Sequence, residues 1–164
     1  MKDTNSLQQE LMQAPDLDRF LSENRENFQG GCVHELLGEL YQKRNISKAA
    51  LAKQSGMSEV YLHQVFAGRR NPSRSRLICL CFGLSATLEE TQTLLKQCGY
   101  AQLYARDRRD AIILYGIVNG MSLFDVNDKL FSEEEETLFL QMQSGHPKTL
   151  TYAWIVLSYL LRGT

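Results

Sequence analysis

The chain has 164 residues, of which 43% are hydrophobic and 23% charged, and a formal net charge of −1. That much apolar material can build a core, which excludes a globally disordered chain, and the length allows one domain or one small domain with an added helical module. Only three prolines are present, and strand-like alternation is nearly missing, so the pattern favours an all-α fold.

The near-neutral total hides an uneven distribution. From Leu40 to Arg76 the basic residues are Lys43, Arg44, Lys48, Lys53, Arg69, Arg70, Arg74 and Arg76, against the single acid Glu59. Residues 1–30 carry a net −3, from three basic and six acidic side chains. A local basic stripe suits phosphate binding, because counterion release depends on local cations rather than on total charge.

In chain order, residues 1–30 are polar and acidic, with Pro15 and a Gly30-Gly31 break. Leu17, Phe20 and Leu21 give one or two amphipathic turns, so this stretch is expected to be a loosely docked extension. Val33, Leu36, Leu37, Leu40 and Tyr41 follow helical spacing. Ser47 is the next N-cap candidate, with Ile46 and Leu51 in the positions of a hydrophobic staple. Gly56 stands where a short helix must stop at positive φ. Ser58 caps again, with Met57 and Leu62 as a second staple. Two capped helices joined through a glycine form the helix-turn-helix pattern, and the second helix is the candidate reader.

Gly68 closes that second helix, and Arg69-Arg70-Asn71-Pro72 reads as a basic loop. Leu77, Leu80, Cys81 and Leu84 mark the next helix. Thr87 and Glu90 have the spacing of a capping box, opening a helix that ends at Gly99. Further on, Asp107 to Asn119 is helical and stops at Gly120. Ser122 caps another helix, with Asp125 at its third position and Met121 stapled to Val126. Ser132, followed by Glu133 to Glu136, is expected to cap one more. The final apolar run, Leu150 to Leu161, is shorter than the roughly 17–25 residues of a spanning helix. It reads as a buried or partner-facing helix and a candidate for dimerisation; a cut membrane segment is the other reading.

The residues Leu51-Ala52, Gly56-Met57-Ser58, Leu62, Val65, Gly68 and Pro72 stand at the spacing of the Cro/repressor (Xre-type) helix-turn-helix family, which the chain resembles from about Val33 to Gly99. It departs at Phe66, where the family usually carries a polar or acidic residue, and at Ala67, often Asn there. The resemblance implies a five-helix repressor-like domain, giving an expected division into an extension (1–30), a DNA-binding domain (31–103) and a C-terminal helical module (104–164). It also implies a cytoplasmic, sequence-specific transcriptional regulator that binds double-stranded DNA as a homodimer.

On the reader helix, Leu62 and Val65 are expected to point inward, and Glu59, Val60, Tyr61, His63 and Gln64 outward. The resemblance places Glu59, Val60 and Gln64 against base edges, with Tyr61 and His63 nearer the groove wall. Chemistry fits: Gln64 can pair bidentately with adenine, Glu59 can accept from a cytosine amino group, and Val60 can touch a thymine methyl. Lys48, Ser58, Arg69, Arg70, Asn71, Arg74 and Arg76 are the expected DNA-backbone contacts, which position without reading sequence.

Other classes find less support. A repressor-like scaffold that binds protein, as an antitoxin or adaptor, is the alternative function. Catalysis is not expected. His34, His63 and His146 are dispersed, and no HExxH, GxSxG or phosphate-cradling glycine loop occurs. The cysteines Cys32, Cys79, Cys81 and Cys98 form no CxxC pair, so neither a metal site nor another cofactor is expected. Without an apolar signal-peptide region, the thiols are expected to be reduced and mostly buried.

Overall fold

Side chains of the expected kind start the helices of the computed structural model, which describes residues 2–28 and 33–138. Among the described residues there are nine helices and no strand: α1 (Thr4–Gln13), α2 (Leu17–Glu23), α3 (Val33–Gln42), α4 (Lys48–Ser55), α5 (Glu59–Phe66), α6 (Arg74–Gly83), α7 (Leu88–Gln97), α8 (Arg108–Val118) and α9 (Leu123–Ser132). The chain is all-α. Ser47 accepts from the Ala50 amide, Ser58 from Tyr61, Ser73 from Arg76 and Ser122 from Asp125, each satisfying an otherwise orphan donor. Thr87 and Glu90 complete the capping box in both directions.

One device closes most of these helices. Gly56, Gly68, Ser85, Gly99, Gly120 and Glu134 all have positive φ, and in each case the next amide reaches back to a carbonyl five residues earlier. Met57 bonds Ala52, Arg69 bonds Gln64, and Glu135 bonds Leu130. This is the Schellman closure. It explains a departure from expectation at Ser132. The serine is the last residue of α9, and Glu134 at φ 59° terminates that helix, so the Ser-Glu run stops a helix instead of starting one.

The core is built around α6. Leu77, Ile78, Cys79, Leu80, Cys81 and Gly83 are all buried, so this helix is covered on nearly every side. α4 crosses it closely, α4 and α3 hold α5, and α7 and α9 pack on α6 as well. Ile113, Leu123, Val126, Leu130 and Leu138 belong to the same apolar cluster as Leu37, Leu51, Leu62 and Leu77. α8 and α9 are therefore a continuation of one core past the expected boundary at residue 103. Each fully buried aliphatic side chain contributes about 1.5–3 kcal/mol.

The acidic run after α9 serves that docking. Glu133 and Glu135 pair with Arg108 at the start of α8, Glu133 also pairs with Lys129, and Arg109 donates to the Glu136 carbonyl at 2.6 Å. The N-terminal stretch folds on itself: α1 contacts α2, Phe20 stacks edge-on with Phe28 at 6.0 Å, and Lys2 bonds Glu10 at 2.7 Å. The apolar helix expected at Leu150–Leu161, and with it the expected dimer contact, lies outside the described residues.

Candidate nucleic-acid interface

The interface is set by how α4 and α5 are locked together. Gly56 takes φ 66° and its neighbour Met57, fully buried, turns the chain into Ser58. Leu51, Met57, Leu62 and Val65 are each 0% exposed, so they fix the angle between the two helices by packing. The faces left to solvent are then determined.

On α5 those faces carry Glu59, Val60 and His63, all exposed, with Gln64 half-buried beside them. Val60 is 68% exposed, unusual for a valine on a helix otherwise seated in the core. The structure thus brings four of the five residues expected to face outward onto one side. It corrects the fifth: Tyr61 is buried at 9% exposure and belongs to the core. Because α5 is held by both α3 and α4, its buried face is wider than a single stripe, and position 61 falls within it.

The cations divide in the same way. Arg69, Arg70 and Asn71 are exposed in the loop after α5. That loop is held at both ends: the Gln64 carbonyl accepts from the Arg69 amide at 2.9 Å and the Arg70 amide at 3.2 Å, and the Tyr100 hydroxyl donates to the Pro72 carbonyl at 2.7 Å. Gly68 allows the tight turn, at φ 71°, and brings its bare Cα against the ring of His34, which would lie 2.8 Å from an added Cβ. Lys48 lies over the Phe66 ring at 5.3 Å, and Phe66 packs at a tilt against Tyr41, with ring centroids 5.2 Å apart. The apolar residue at position 66 thus seats a cation at the start of α4.

Arg74 is not arranged as a phosphate contact. Its guanidinium is committed to the fold, pairing with both Asp110 oxygens at 3.2 and 2.8 Å and donating to the Ala101 and Gln102 carbonyls. Sequence spacing gives no sign of this, since Asp110 lies 36 residues away on α8. Arg76 sits 4.5 Å over the Tyr61 ring, and Ser58 serves as the α5 cap. Tyr100, His34 and Phe66 support the site, a role that sequence reasoning gave to none of them.

The thiols of Cys79 and Cys81 are removed from this surface chemistry. Burial pushes Cys79 and Cys81 each up to about 12. Among the described residues, no three His, Cys, Asp or Glu side chains are grouped to hold a metal, and no helix is long and apolar enough to cross a membrane.

This arrangement, two capped helices locked at Gly56 with a polar outer face and a braced basic loop, defines a helix-turn-helix domain. Residues 35–94 match the family described as a helix-turn-helix domain, a stretch running from within α3 to α7. No curated protein and no solved structure matches the chain.

Proposed function

We propose that the protein is a sequence-specific, DNA-binding transcriptional regulator of the Cro/repressor (Xre) type, acting as a homodimer on a near-palindromic site. The observation that carries this is the α5 surface: Glu59, Val60, His63 and Gln64 stand together on a helix locked to α4, with Lys48, Arg69 and Arg70 around it. A helix so presented enters the major groove, and cations flanking it meet phosphates on either side. Half-sites of such a dimer lie about one helical turn, roughly 10–10.5 bp, or a multiple, apart. The C-terminal helices are the proposed dimer contact.

A second reading draws on α8 and α9. Tyr115 and Val118 are each 65% exposed, and Tyr115 borders a shallow groove of about 420 Å³ with Ile112 and Met121. Such an apolar face favours a protein partner, as a scaffold or antitoxin would have.

Selection from a random double-stranded DNA library at physiological salt tests the proposal. Enrichment of an inverted repeat is expected. Gln64→Ala is expected to change base preference, whereas Arg70→Ala weakens binding to all sequences alike and lowers the salt dependence. No retention even at low salt would sink the DNA reading and leave the protein-binding one.

A further inference from the structure

Tyr61 lies on the reading helix yet is buried. It is 9% exposed, and its hydroxyl has no hydrogen-bond partner among the described residues. A buried hydroxyl without a partner opposes folding, and an aliphatic side chain would fill the space without that cost. The hydroxyl therefore does not account for tyrosine at this position. The ring does.

Two guanidinium groups from different segments converge on it. Arg76, in the first turn of α6, lies 4.5 Å from the ring centroid, and Arg70, in the loop after α5, lies 6.0 Å away. Both fall within the range of about 6 Å over which an aromatic face attracts a cation. Like charges drawn to one place repel, and the ring face offers both an attraction that offsets this. The ring is also fixed: it is part of the core that seats α5, so it cannot move independently of Glu59, Val60 and Gln64 on the same helix.

We propose that Tyr61 is a positioning residue for DNA binding, its ring setting Arg70 and Arg76 at the phosphate backbone in register with the base-reading face of α5. This rests on the DNA-binding function proposed above. It couples two kinds of contact that otherwise belong to separate segments. The helix reads, the loop and α6 grip, and one buried ring fixes the distance between them.

The test is DNA binding measured over a series of salt concentrations, using the sequence selected from the library. Three variants are compared with the wild type: Tyr61→Phe, Tyr61→Leu, and replacement by 3,4,5-trifluorophenylalanine, which keeps the ring's shape but removes its negative face. Tyr61→Phe is expected to keep the wild-type slope of log K against log salt. The leucine and fluorinated variants are expected to lose roughly 0.9 in slope for each phosphate contact released, up to two, with the ranking of DNA sequences unchanged. Loss of packing alone would lower the melting temperature without changing the slope. The fluorinated variant keeps the question answerable if leucine does not fold. A wild-type slope in the fluorinated variant would overturn the proposal. So would a Tyr61→Phe slope as low as that of leucine, which would assign the role to the hydroxyl. A wild-type protein that binds no DNA at any salt would instead overturn the underlying DNA-binding function, a result distinct from either.

Discussion

Arg74→Ala removes a cation from the basic stripe, and the structure says that the loss will be felt in folding before it is felt in DNA binding. The guanidinium makes four hydrogen bonds, to the Ala101 and Gln102 carbonyls and to both oxygens of Asp110. The two side chains are 25% and 10% exposed, so the carboxylate would be left buried with the Tyr104 amide, at 3.1 Å, as its remaining partner of that group. Breaking a fully buried pair costs about 3–5 kcal/mol. Water reaching the partly open arginine side reduces that, and about 2–4 kcal/mol is expected here. For a domain of this size the loss corresponds to a fall in Tm of roughly 4–16 °C. Urea denaturation of Arg74→Ala, Asp110→Asn and the double variant measures it. Asp110→Asn should cost far less in the Arg74→Ala background than alone, because the partners are then already separated. Additive single effects, or an Arg74→Ala protein of wild-type stability whose DNA binding loses about one unit of salt slope, would show that the arginine serves phosphate and that the Asp110 pairing is incidental.

Three further outcomes follow from particular contacts. Gly83→Ala would place a Cβ 2.8 Å from Leu51 Cδ1 and 3.2 Å from the Ser55 backbone nitrogen, forcing α4 away from α6. Overpacking of about 1–3 kcal/mol outweighs a helix-propensity gain of about 1 kcal/mol, so the urea midpoint should fall, and an unchanged midpoint would contradict the close crossing. Glu90 is held below its ordinary value of 4.5 by the Thr87 amide and by Arg44. A depressed folded value means that its contribution is present above 4.5 and is lost as pH falls through the folded value. Glu90→Gln should therefore flatten the acid limb of the stability–pH curve, and an identical limb would remove Glu90 from its cause. Finally, Cys79 and Cys81, each pushed up to about 12 by burial, should resist iodoacetamide at pH ~8 until the protein unfolds. Rapid labelling of either in the native protein, mapped by mass spectrometry, would contradict their place in the core.

What could be read from the residues alone was what is decided within one helical turn. Ser47, Ser58 and Thr87 cap the helices they were expected to cap, and Gly56 closes α4, because each choice depends on neighbours three or four positions away. The departures each involve a contact from longer range. Ser132 and its following glutamates have the local form of a helix start, yet Arg108 and Lys129 draw Glu133 and Glu135 into ion pairs, and the Leu130 carbonyl captures the Glu135 amide. Tyr61 falls on the outward side if α5 has one neighbour, and on the inward side once α3 and α4 both press on it. Arg74 is one more cation in a basic stripe until Asp110 arrives from α8. These departures share a consequence for function. The charge cluster in the sequence divides into cations that build the support and cations that remain exposed, and only packing separates the two. Arg69 and Arg70 stay exposed because their loop is held from behind, by the Gln64 carbonyl and the Tyr100 hydroxyl. With Arg74 turned inward, the loop that carries them is anchored to the connector before α8. The exposed cations Arg69 and Arg70 thus owe part of their placement to residues just beyond the matched stretch 35–94.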